Sequence, residues 1–146
     1  MNRIATALGI GLGFGLAGGV GASPVAAEPE PADPVLAEMG APLFARYCAS
    51  CHGAQARGDG PVAKALNPPP ADLTRIATRR GGDFPEGEIA RFIDGRFNLD
   101  AHGSREMPVW GERLAPAVPD AGISEAIVRG NIVSLVEYLK SLQEEK

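Results

Sequence analysis

The stretch FARYCASCHGAQARGDGP, Phe44 to Pro61, holds the only two cysteines of the chain and, directly after the second, one of its two histidines. Cys48 and Cys51 stand two residues apart, so four chemistries compete for them: a disulfide, a metal clip, a thioredoxin-like redox pair, and the seat of a larger group. A Cys48–Cys51 disulfide closes so small a loop that it constrains the unfolded chain little, and it leaves His52 without a task. A structural zinc site takes four protein ligands; with two cysteines and two histidines in the chain, the fourth is the distant His102. A thioredoxin-like pair opens a helix in a βαβ setting, whereas this pair follows a helical apolar pattern.

The remaining reading gives every residue of the pattern a role. C-x-x-C-H is the spacing of a c-type haem attachment site. Each thiol adds to one vinyl group of the haem to give a thioether, two intervening residues fit one helical turn against the porphyrin edge, and His52 directs its imidazole at the iron. A copper module built from Cys48, Cys51, His52 and Met107, soft ligands that suit Cu(I), stays open on residue types alone.

The compartment matters, because free thiols in an oxidising one become disulfides unless something consumes them. The chain begins with one basic residue, Arg3, an uncharged run from Ile4 to Ala27, and then the polar stretch EPEPADP. That order is a secretory signal, with cleavage expected after Ala27 because Val25 and Ala27 are small; Ala22 is a second choice. An uncleaved anchor is the alternative, but seven glycines between Gly9 and Gly21 make the run a poor permanent helix. Removal of residues 1–27 leaves 13 basic against 18 acidic residues, net −5. An acidic chain with three lysines and no basic run carries no footprint for nucleic acid or anionic lipid. The expected destination is a bacterial periplasm, with no membrane contact after cleavage.

At 146 residues the chain has room for one domain, expected over 35–146 behind a flexible acidic and proline-rich leader at 28–34. Leu36, Met39, Leu43, Phe44 and Tyr47 recur at helical spacing, with a break expected at Gly40 and Pro42. Pro68, Pro69 and Pro70 are extended backbone. A second helix is expected over Glu86–Asp94, ended by Gly95, then irregular loop over 96–123. The clearest helix spans Ser124 to Gln143: Ser124 is the expected N-cap, and Ile127, Val128, Ile132, Leu135, Val136, Leu139 and Leu142 form one stripe. The class is all-α with long loops. So much loop and so few aromatics leave the core undersized, and a large apolar cofactor would fill it.

Taken together, GAPLFARYCASCHG (Gly40, Phe44, Cys48, Cys51, His52), MPVW from Met107 to Trp110 and LVEYLKSL from Leu135 to Leu142 resemble the class I cytochromes c. GDGP at Gly58–Pro61 and MPVWG are similar to small bacterial single-haem members. The resemblance implies one covalent haem c wrapped by helices, with the first and last crossing near a right angle, Gly40 allowing their approach and Phe44 packing on Leu135 and Tyr138.

The resemblance also implies a second axial ligand, and Met107 is assigned to it by position; Met39 lies upstream of the haem motif, and His102 is the rival. It implies a proline carbonyl on the second ring nitrogen of His52, placed at Pro69 or Pro70 because Leu73 follows, with Pro68 and Pro61 further off. Arg105 and Trp110 flank Met107 and are candidates for the haem propionates or pocket wall. The implied function is one-electron transfer by a monomeric periplasmic carrier between redox partner proteins, with no substrate transformed. A haem-bearing subunit of a larger oxidoreductase, and a catalytic or gas-binding haem with an open sixth position, are the other readings.

Overall fold

Asp33 fixes where the first helix begins. In the computed structural model, which describes residues 30–96 and 107–144, its carboxylate accepts hydrogen bonds from the N–H groups of Val35 (2.9 Å) and Leu36 (3.0 Å). Pro34 follows with its φ preset for a helix. The helix that starts there, α1, runs unbroken over Pro34–Tyr47, so the break expected at Gly40 and Pro42 does not occur. Pro42 lies on the exposed face; the Glu38 carbonyl that its missing N–H leaves unfilled is also on that face and in reach of water. The expected signal segment 1–27, the leader residues Glu28 and Pro29, His102 and Arg105 lie outside the described residues.

All regular structure among the described residues is helical, as the all-α expectation requires. After α1 come α2 (Ala49–His52), 3-10 turns at Ala63–Ala65 and Leu73–Arg75, α3 (Ile76–Arg79), α4 (Glu86–Asp94), α5 (Trp110–Arg113) and α6 (Ala121–Ser141). The bounds of α4 are those its sequence predicts, ending at Gly95 in the left-handed conformation with φ 71°. The last helix starts one turn earlier than expected: Asp120, not Ser124, is the cap, its Oδ1 accepting from the Ile123 N–H at 2.9 Å. The stretch read as loop contains α5. No helix of the described residues is long and apolar enough to cross a membrane.

The fold rests on α1 against α6, the most extensive helix pair. Val128, Ile132, Leu135, Val136 and Leu139 are buried along α6, whereas Ile127, placed on the same stripe by its spacing, is 39% exposed. Phe44 and Leu135 are each 2% exposed, and burial of such a side chain contributes about 2 kcal/mol. The Phe44 and Tyr138 rings lie 5.3 Å apart, completing the packing that the resemblance implied. Gly40 is the point of closest approach: a Cβ there would stand 2.0 Å from the Ser134 carbonyl oxygen and 2.8 Å from Tyr138 Cβ. Ile89 and Ile93 of α4 join this cluster from the side.

Two helical glycines of opposite surroundings give a paired test. Gly40→Ala forces a backbone shift between α1 and α6 and is expected to destabilise by about 2–3 kcal/mol. Gly130→Ala on α6, where a Cβ meets nothing within 4 Å, is expected to stabilise by about 0.5–1 kcal/mol. Thermal unfolding of the purified variants reads both; equal effects of the same sign would remove Gly40 from the helix contact.

Candidate functional site

The backbone around the cysteine pair is bonded to itself and to the loop that follows it. α1 delivers Cys48, whose N–H donates to the Phe44 carbonyl at 2.9 Å, and the N–H groups of Cys51 and His52 turn back onto the Cys48 carbonyl at 3.1 and 2.9 Å. The loop that follows returns over the end of α2 and caps its carbonyls: Val62 N–H donates to Ser50 O (3.1 Å), Gly60 N–H to Cys51 O (3.2 Å) and Gly58 N–H to His52 O (2.8 Å). With these groups paired, the side chains of Cys48, Cys51 and His52 all line one cavity.

His52 Nδ1 lies 3.0 Å from the carbonyl oxygen of Ala71. A carbonyl only accepts, so Nδ1 carries the proton and the Nε2 lone pair is left for a metal. This corrects the expected partner: the carbonyl belongs to Ala71, not to Pro69 or Pro70, which contribute to the cavity wall. The reason is local. Leu73 N–H donates to Ala56 O at 2.7 Å, Arg79 Nη2 donates to Asp72 O at 2.8 Å, and the Asp72 carboxylate accepts from Thr74 N–H (2.9 Å) and Oγ1–H (2.6 Å). These bonds pin residues 72–74 and leave the carbonyl just before them, that of Ala71, facing His52. The Thr74 hydroxyl bond, joined by its N–H and by the charges of Arg57 and Arg79, holds the Asp72 carboxyl below its usual range.

The cavity has a volume of about 820 Å³. Phe44, Leu135 and Leu139 wall it from the α1–α6 pair, Ile89 and Ile93 from α4, and Leu73 and Ile76 from the segment after the prolines. Met107 and Trp110 line it as well, and the Trp110 ring rests 5.8 Å from that of Tyr47. At its polar edge stand Arg79 and Arg80, the latter paired to Glu88 through two bonds of 2.7 and 2.5 Å. Arg79 and Arg80 are neighbours in sequence, and nothing in residue types ties them, Tyr47 or Ala71 to the site.

The donor set disfavours the small-ion readings. Burial, reinforced by the neighbouring Cys51, pushes the Cys48 thiol up to about 12, as for a cysteine held against apolar surroundings. Among the described residues no group of three or more His, Cys, Asp or Glu side chains could hold a metal ion. A large, mainly apolar space lined by a cysteine pair, an oriented imidazole and a methionine fits a haem. A family model of cytochrome c matches the chain over residues 37–143. The chain belongs to the cytochrome c family. Its cofactor is a covalent haem c, for which Cys48 and Cys51 fit the attachment motif, and its general function is haem-based electron transfer with redox partner proteins. A comparison with curated proteins finds no match.

The depressed Asp72 carboxyl makes one part of this cytochrome sensitive to acid. A group whose folded pKa is lowered contributes stability above its unfolded value and loses it as the pH falls through the folded one. Asp72→Asn is therefore expected to be less stable than the parent at neutral pH, with the gap narrowing below about pH 4. Unfolding curves across a pH series read this, and a gap independent of pH would assign the effect to something other than the charge.

Proposed function

We propose that the chain is a periplasmic one-electron carrier in which Cys48 and Cys51 anchor the haem as thioethers and His52 and Met107 are the axial ligands. In this reading residues 1–27 are the export signal and are removed, residues 28–34 are the leader, and 35–146 form the carrier domain. It works as a monomer between a donor and an acceptor protein, transforms no substrate of its own, and binds neither nucleic acid nor membrane. The observation that carries the reading is that Cys48, Cys51, His52 and Met107, four residues spread over sixty positions of sequence, line one apolar cavity while His52 is already turned by Ala71 to offer Nε2.

The bound haem supplies reversible ferric–ferrous chemistry. Around it the chain's own residues have separate tasks. His52, its Nδ1–H fixed on Ala71, keeps one tautomer and one ring orientation. Met107 offers a neutral, soft sulfur, which favours ferrous iron and raises the reduction potential relative to a second histidine. Phe44, Ile89, Leu135 and Leu139 give the cavity an apolar wall, which would leave few protein dipoles to reorganise when the charge of a bound haem changes. Trp110 and the arginines at the cavity edge, Arg79 and Arg80, are donors suited to carboxylates; Arg105 joins them as a proposed propionate partner.

Optical spectra of protein matured with haem-attachment machinery test this. The parent is expected to show sharp reduced bands and a weak far-red ferric band of thioether ligation. Met107→Ala should abolish that far-red band and let ferrous iron take up carbon monoxide; His102→Ala should change neither. The converse pair of results would transfer the axial role to His102. Cys48→Ala with Cys51→Ala should leave haem extractable by acidified solvent, and a parent that matures colourless would sink the reading entirely.

A further inference from the structure

A part-buried ion cluster beside α5 has no place in the site as described so far. The Arg96 guanidinium donates to both oxygens of Asp94, from Nε to Oδ1 at 2.6 Å and from Nη2 to Oδ2 at 2.7 Å. Its other edge donates to Glu125, from Nη1 to Oε2 at 2.7 Å and from Nη2 to Oε1 at 3.1 Å. Asp94 is the last residue of α4 and is 9% exposed, while Glu125 belongs to the opening turns of α6. The third element is α5. A Cβ on Gly111 would stand 2.3 Å from Arg96 Nε and 2.3 Å from Asp94 Oδ1, so the α5 backbone rests directly on the ion cluster.

What rests there is the segment that carries the far cavity wall. Trp110 precedes Gly111, lines the cavity and leans on Tyr47; Met107 lies three residues earlier; Leu114, 5% exposed, closes the turn with an N–H bond to the Trp110 carbonyl at 2.9 Å. A planar guanidinium that meets two carboxylates edge-on has a fixed orientation, which makes it a firm support for a backbone packed against it.

We propose that Arg96 is a positioning residue: gripped between Asp94 and Glu125 under Gly111, it holds the Met107–Leu114 segment against the cavity. It thereby sets how firmly the Met107 thioether is kept in place, a consequence that rests on the axial role proposed for Met107 above. Lysine cannot replace it fully, because one ammonium does not span both carboxylates in plane.

Hydrogen exchange of the haem-loaded protein tests the clamp without relying on the ligand. Arg96→Gln is expected to speed exchange at residues 107–114 on the order of ten-fold while amides in the α1–α6 pair keep their protection. Glu125→Gln, which removes one carboxylate whose side chain is 37% exposed, should give a smaller change in the same segment, and Arg96→Lys should fall between parent and Arg96→Gln. Unchanged exchange at 107–114, or an increase spread evenly over α1 and α6, overturns the proposal; if Arg96→Gln does not mature, Glu125→Gln decides by the same pattern. Met107→Ala spectra judge the ligand separately. An intact far-red band in Met107→Ala beside a loosened 107–114 in Arg96→Gln would discard the ligand and keep the clamp, and the opposite pair would do the reverse.

Discussion

The protein's core is not closed by protein. Where α1, α4 and α6 converge, Phe44, Ile89, Ile93, Leu135 and Leu139 pack into one cluster and also line a space of about 820 Å³. Apolar walls of that extent suit an apolar occupant, because dispersion contacts accrue only where atoms meet, and a covalent haem c would supply them. The cysteine pair fastens the occupant, the proline run lines its edge, and the α1–α6 contact around Gly40 and Phe44 supplies the most extensive packing.

The polar parts of the site obey the same constraint. An imidazole that must present one nitrogen to a metal needs the other satisfied, and it is a backbone oxygen, not a side chain, that does so. Holding that oxygen falls to Asp72, Thr74, Arg79 and the bond from Leu73 to Ala56. On the other side, Gly111 lets α5 settle on Arg96. Both devices hold a segment of irregular backbone by charge or hydrogen bonding, because such segments lack the periodic side-chain contacts that lock a helix.

The sequence made legible those features that chemistry or periodicity ties to residue type. Covalent attachment needs two thiols and an imidazole at fixed offsets, so Cys48, Cys51 and His52 were readable at once, and α4 was bounded correctly because its stop is a glycine in the left-handed region. The Ala71 carbonyl was not readable, since every residue has a carbonyl and nothing in the prolines fixes its direction. Pro42 suggested a break that the cap at Asp33 and the burial of Ala37, Gly40 and Phe44 override. The start of α6 was missed because its first turn, Ala121–Ile123, adds nothing to the buried stripe. The Asp94–Arg96–Glu125 cluster was hidden because Glu125 joins it across 29 positions of chain, a distance at which charge patterning carries no signal.

The pairing of the first helix with the last also sets a schedule. Asp33 bonds to Glu137 across 104 positions, and Gly40 meets Ser134, so these contacts wait until α6 is available, and closing so long a loop is slow. Leu135 and Leu139 belong to that late segment, and before it docks the cavity stands open on their side. Cys48 and Cys51 come early in the chain and are reachable throughout the delay. The topology thus leaves the thiols approachable from that side until α6 docks.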